Sequence, residues 1–193
     1  SGSDGSNKIS ISSDGTTWSK KAAPASFLSM CCSDDGSIIF ALATTYKLYL
    51  SNDSGDSWTQ VNPSGSSDHS YLAITCDLDG SHLYAGRKSA NPYYHVTATS
   101  SCTIFASTNS GSSWTEKIPC LYGKFKSLSC NYDGSILLAS YDEVSSDIVP
   151  FTILKSVDGG DTFKCVPPVY RSYYNRPNLI QTNTTGEYSI LLY

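Results

Sequence analysis

Carboxylate, hydroxyl and indole side chains recur together in this sequence, and their spacing defines the chemistry open to them. Ser51, Asp53, Gly55, Ser57 and Trp58 form one set, within Ser51-Asn52-Asp53-Ser54-Gly55-Asp56-Ser57-Trp58. Ser107, Asn109, Gly111, Ser113 and Trp114 repeat it with an amide in place of the acid. Ser156, Asp158, Gly160, Thr162 and Phe163 repeat it with Phe in place of Trp, and Ser12, Asp14, Gly15, Thr17 and Trp18 give a copy one residue shorter. The shared pattern is S-x-D-x-G-x-[ST]-W. A carboxylate or amide two residues before a Gly caps its own backbone turn, the Gly takes a positive φ, and the aromatic packs under the hairpin. Four copies in 193 residues make this an architectural signal.

The remaining reactive groups form no such pattern. Asp77-Leu78-Asp79-Gly80 looks like part of a calcium loop but lacks the further acidic ligands, and His69, His82 and His95 have no metal-ligand spacing. Neither a metal nor a cofactor is expected. No C-x-x-C pair occurs among the seven cysteines. Cys32, Cys76 and Cys130 share one register and are expected to pack rather than bond, which leaves Cys31, Cys102, Cys120 and Cys165 as disulfide candidates. Tyr93, Tyr94, His95, Tyr170, Arg171, Tyr173, Tyr174 and Arg176 gather aromatic and guanidinium groups in connecting segments. Such groups suit stacking on sugars or anchoring a protein interface; equally, tyrosines cover the edges of sheets.

The elements that position these groups follow from a second repeated turn. It reads Cys32-Ser33-Asp34-Asp35-Gly36-Ser37, Cys76-Asp77-Leu78-Asp79-Gly80-Ser81 and Cys130-Asn131-Tyr132-Asp133-Gly134-Ser135, with a degenerate copy at Thr182-Asn183-Thr184-Thr185-Gly186-Glu187. The two kinds of turn alternate. Apolar runs separate them, such as Tyr71-Leu72-Ala73-Ile74 before a turn and His82-Leu83-Tyr84-Ala85 after it. Two hairpins in a repeat of about 40–56 residues predict four-stranded propeller blades. Runs apolar on both faces suit strands sandwiched between neighbouring sheets. Ala at one position of three second strands (Ala41, Ala85, Ala139) predicts close sheet-to-sheet approach. The fold expected is all-β: a β-propeller of four-stranded antiparallel blades, three complete, with complementary N- and C-terminal half-blades. Residues 1–193 are read as one domain. It closes as a four-bladed ring, forms an arc of a larger propeller, or is completed between chains, because an unpaired edge strand needs a partner.

Composition sets the surroundings. Thirteen basic and seventeen acidic side chains leave a net charge of -4 with no basic run, which argues against nucleic acid or an anionic membrane as partner. No apolar stretch approaches the roughly 18–20 residues of a membrane-spanning helix. The sequence starts without Met or a signal-peptide pattern, so a processed chain or a piece of a longer one is expected. Seven cysteines and two N-x-[ST] acceptors, Asn52 and Asn183, point to a secreted or cell-surface setting with N-glycosylation.

The four S-x-D-x-G-x-[ST]-W turns resemble the Asp-box, or bacterial neuraminidase repeat, over essentially the whole chain. The resemblance implies a β-propeller far more firmly than an activity, since Asp-boxes are known in sialidases, xyloglucanase-like glycosidases, sortilin-type receptors, photosystem assembly factors and lectins. In these families the box stabilises a hairpin at the blade periphery. Asn109, Phe163 and the shortened first copy depart from the pattern and are expected to weaken their own hairpins. A sialidase-like site needs an arginine cluster, a Tyr nucleophile with a Glu, and an acid-base Asp. Here the arginines are Arg87, Arg171 and Arg176, and Glu116, Glu143 and Glu187 show no pairing. Most aspartates are accounted for by turns, although counting leaves a xyloglucanase-like pair open. The reading is therefore a non-catalytic extracellular scaffold or interaction module, with protein partners or self-assembly. The alternative is a carbohydrate-active module, lectin-like or part of a glycoside hydrolase.

Overall fold

The computed structural model describes residues 7–65, 70–87, 103–117, 124–142, 152–166, 179–182, 185 and 189–192. Its described elements are all strands. A two-stranded sheet pairs β1 (Lys8–Ile11) with β2 (Ser19–Ala22). The first complete blade runs in order β3 (Phe27–Cys32), β4 (Ile39–Ala43), β5 (Leu48–Ser51) and β6 (Thr59–Val61). The second comprises β7 (Tyr71–Cys76), β8 (Leu83–Arg87), β9 (Ile104–Ser107) and β10 (Thr115–Lys117). The third comprises β11 (Lys124–Cys130), β12 (Leu137–Asp142), β13 (Thr152–Ser156) and β14 (Lys164–Val166), and β15 (Leu179–Thr182) pairs with β16 (Ser189–Leu192). Every pairing is antiparallel between chain neighbours. The chain is thus a β-propeller of three complete blades and two half-blades: β1–β2 hold the third and fourth strand positions, β15–β16 the first and second.

The first strands β3, β7, β11 and β15 lie successively against one another. Each of the first three carries an irregularity at the same place, between Phe27 and Ser29, Tyr71 and Ala73, and Phe125 and Ser127. A bulge there sharpens local twist and fans successive sheets apart.

The core lies between blades. One layer joins Phe40, Leu42, Leu48 and Leu50 of the first blade to Tyr71, Ile74, Leu83, Ala85 and Phe105 of the second. The next joins Ala73, Tyr84, Ile104 and Ala106 to Phe125, Leu128, Leu137, Ala139 and Leu154. Consecutive residues Ala73 and Ile74 therefore serve opposite layers, as strand alternation requires. Ala41, Ala85 and Ala139 are all fully buried, in agreement with the close approach read from their recurrence. Second strands are buried on both faces because sheets flank them on either side.

Candidate functional site

Each S-x-D turn is a closed hydrogen-bond system. In the first blade Ser51 Oγ donates to Asp53 Oδ1 (2.8 Å) and accepts from the Gly55 amide (2.7 Å). Asp53 also accepts from the Ser57 amide (2.8 Å) and the Ser57 hydroxyl (2.5 Å). The third blade repeats this with Ser156, Asp158, Gly160 and Thr162. In the second blade Asn109 Oδ1 accepts from Ser107 Oγ (3.0 Å) and the Ser113 amide (2.8 Å), while its Nδ2 donates to Ser113 Oγ (2.8 Å). The amide thus keeps every link and reverses the polarity of one, so the departure from Asp leaves the hydrogen-bond pattern of this hairpin intact. In the shorter first copy Asp14 Oδ1 accepts from Ser12 Oγ and from the amides of Thr16 and Thr17.

These bonds favour the ionised carboxylate. The Ser57 hydroxyl and amide, then Ser51, hold Asp53 down to about 2, and Thr162 and Ser156 do the same for Asp158. Asp14 is lowered chiefly by the Thr17 and Thr16 amides. Acids held ionised by their own turns are poorly placed to act as proton donors.

Both turn types lie at one end of the blades. The amides of Ser54, Ser110 and Gly159 donate to the carbonyls of Ser37, Ser81 and Ser135 (2.9, 3.0 and 2.9 Å), which ties the outer turn of each blade to its inner one. The inner turns are also laced from blade to blade: Asp34 N donates to Leu78 O (2.7 Å), and Leu78 N donates to Tyr132 O (3.0 Å). Ser33, Asp77 and Asn131, at one register and all buried, each accept an amide across their turn, from Ile38, His82 and Ile136. His82 is half-buried, with Nδ1 2.6 Å from Asp77 Oδ2. Ser81 Oγ lies 3.0 Å from the same Nδ1. Serine and aspartate compete for one ring nitrogen, so this trio lacks the relay in which a histidine joins them through its two nitrogens.

Side chains also bridge the blades. Lys21 Nζ reaches Asp56 Oδ1 (2.9 Å) and Ser54 O (2.8 Å) in the next sheet, and Lys117 pairs with Asp161 in the same way. Between these, the equivalent positions are Val61 and Ser112, and Val61 packs on the apolar layer. Ion pair and apolar contact thus replace each other as a unit.

The first blade departs from its fellows on the side facing β1–β2. Met30 is 49% exposed, whereas Ile74 and Leu128 at the same register are 7% and 5% exposed. Trp18 is 61% exposed, contrary to the expected packing under its hairpin. Trp114 meets Phe40 of the preceding blade at 5.8 Å between ring centroids and donates its indole N–H to Gly111 O (3.1 Å). Trp58 instead packs on Phe27 of its own blade at 5.1 Å. The cause is common: β1–β2 supply no first or second strand to cover Met30 or receive Trp58. Cys32, expected to be packed like Cys76 and Cys130, is exposed for the same reason, and Cys31 is the half-buried one. Cys31 and Cys165 are free thiols in this structure, and Cys165 is exposed.

Among the other sequence candidates, Asn52 is exposed at the outer turn. Asn183, Cys102, Cys120, Tyr93, Tyr94, His95, Tyr170, Arg171, Tyr173, Tyr174 and Arg176 lie outside the described residues. The strand ends flanking residues 88–102, Arg87 and Thr103, meet at the end of the blade opposite the two turns, with Arg87 N donating to Thr103 O (2.8 Å). Among the described residues no group of three or more His, Cys, Asp or Glu side chains is arranged to hold a metal ion.

No protein-family model matches the chain, and no curated protein does. Among solved structures the chain is similar to KlAtg21 in complex with the coiled coil of AgAtg16, at 11% identity and a TM-score of 0.65 over 96% of this chain and 55% of that one. It is similar to a GH74 enzyme of Niastella koreensis at 17% identity and a TM-score of 0.61, over 86% of this chain and 26% of that one. It is also similar to YCF48 bound to a D1 peptide, at 14% identity and a TM-score of 0.50, over 73% of this chain and 39% of that one. The likeness is one of fold, and the class is the β-propeller. The chain spans between about a quarter and just over half the length of these structures.

Proposed function

We propose that this chain is an Asp-box propeller scaffold, one domain over residues 1–193, whose role is interaction rather than catalysis. The observation that carries the reading is the closure of the repeated acids on their own turns. Asp14, Asp53 and Asp158 are occupied by two or more local donors each. Their function is to set turns, and the turns set the blades. The uncovered apolar side of β3, with Leu28 and Met30, fits a protein partner. Its natural occupant is a first-and-second-strand hairpin of this same repeat, of the kind β15–β16 form. Such a hairpin offers a backbone partner to β1 and covers Met30. Solved propellers of similar fold hold a D1 peptide in one case and a coiled coil in another. A secreted or cell-surface setting, with sugar at the exposed Asn52 and at Asn183, fits the cysteine and sequon content.

A second reading, glycan binding, is supported by Tyr93, Tyr94, Tyr170, Arg171, Tyr173, Tyr174 and Arg176 and by the fold likeness to GH74 enzymes. A glycan array, a panel of fluorogenic glycosides and light scattering on the full chain separate the two. The scaffold reading expects no turnover, and association that Met30→Asp abolishes. Turnover, or sugar binding lost in Tyr173→Ala and Arg176→Ala, would overturn it.

A further inference from the structure

The thiols of Cys31 and Cys76 belong to different blades and meet in the layer between them. In β3, Cys31 pairs with Phe40 and points to the second blade, where it packs against the apolar layer built from Phe40, Leu42, Ile74 and Leu83. Cys76, at the end of β7, packs against that same layer from the other side. Of the neighbouring side chains, Cys76 perturbs the Cys31 thiol most. The next interface holds an equivalent contact: Thr75, at the register of Cys31, lies with Oγ1 3.6 Å from Sγ of Cys130, at the register of Cys76. The repeat therefore brings these two positions together at successive blade junctions, and only the first junction has a thiol at both.

We propose that Cys31 and Cys76 are the site of an inter-blade disulfide that staples the first and second blades. The oxidant is a small disulfide such as oxidised glutathione. One protein thiolate attacks it and releases a glutathione thiol; the second protein thiolate then attacks the mixed disulfide and releases the other. One S–S bond forms, one is lost, and two protein thiols become two glutathione thiols. The neighbouring Cys76 side chain, followed by burial, pushes the Cys31 thiol well above its ordinary range, so the reaction is slow at neutral pH and faster in mild alkali. Cys32, next in sequence, points away to the uncovered side and is not a partner. The pairing differs from the one expected from sequence, which set Cys31 among Cys102, Cys120 and Cys165. It does not depend on the scaffold reading.

The test is to oxidise the full reduced chain with oxidised glutathione at pH 7 and at pH 9, then map linked peptides by mass spectrometry without reduction. A link between the peptides containing positions 31 and 76, lighter by two hydrogens, is expected, together with a rise in unfolding temperature that dithiothreitol reverses. Because Cys31 and Cys32 share a peptide, Cys32→Ser is expected to keep the link and Cys31→Ser to lose it. A link that survives Cys31→Ser, a vicinal Cys31–Cys32 bond, or Cys31 recovered as a free or glutathione-capped thiol would each overturn the proposal.

Discussion

At the scale of single residues, the left-handed glycines separate backbone strain from packing. Gly15 and Gly111 both have positive φ (70° and 83°). A Cβ at Gly15 would meet nothing within 4 Å, whereas one at Gly111 would lie 2.7 Å from Leu50 Cδ2 of the preceding blade. Gly15→Ala is expected to cost about 1 kcal/mol from strain alone, and Gly111→Ala about 2–4 kcal/mol, as measured by urea unfolding. The turn acids make a second residue-level prediction. The carboxyls of Asp53 and Asp158 are held down to about 2 by their hydroxyl and amide donors. A carboxyl depressed on folding adds stability that is fully present above its unfolded value of about 4 and lost as pH falls through the folded one. Stability is therefore expected to decline as pH falls from about 4 towards 2. Asp53→Asn should copy the bonds that Asn109 makes, keep its hairpin at pH 7 and flatten that acid limb; acid titrations followed by near-UV circular dichroism check this.

At the scale of elements, the junctions between neighbouring sheets are modular. Lys21 with Asp56 and Lys117 with Asp161 alternate with Val61 and Ser112 at matching positions. Asp56 is well exposed, so the pair adds about 0.5 kcal/mol after solvent screening. Lys21→Val alone is expected to weaken the first junction slightly, and Asp56→Ser beside it to recover most of the loss. A double-mutant cycle in urea with no coupling between the two would contradict this. Strands and turns were legible in the sequence because their causes are local: Gly one or two residues after Asp or Asn marks each reversal within the three complete blades, and Ala41, Ala85 and Ala139 mark the crowded second strands. The facing of each first strand was less legible. Cys32 shares a register with Cys76 and Cys130, yet only the latter two have the first and second strands of a preceding sheet to pack on. Trp18 matches its motif and still lies exposed, because a motif describes a hairpin and says nothing of what lies beside it.

At the scale of the whole molecule, blades are joined by backbone bonds as well as by apolar layers. The chain of bonds from Asp34 to Leu78 to Tyr132 runs through positions whose side chains share nothing, an acid, an aliphatic and a phenol. Backbone groups do the bonding there, so no residue pattern could announce it. The same lacing explains why two kinds of turn alternate: the inner ones connect blades, and the outer ones are tied to the inner ones through Ser54, Ser110 and Gly159. The proposed binding residues Tyr93, Tyr94, Tyr170, Arg171, Tyr173, Tyr174 and Arg176 rest on sequence alone.

The most direct test of blades set side by side is amide hydrogen exchange at Leu78. Its side chain is exposed at the tip of a turn, but its N–H is bonded to Tyr132 O of the next blade. If the blades are laced as described, that amide exchanges at least about a hundredfold more slowly than an unstructured one. Exchange at the rate of a free loop, while the flanking strands β7 and β8 stay protected, would show hairpins folded without the junction and would contradict the account.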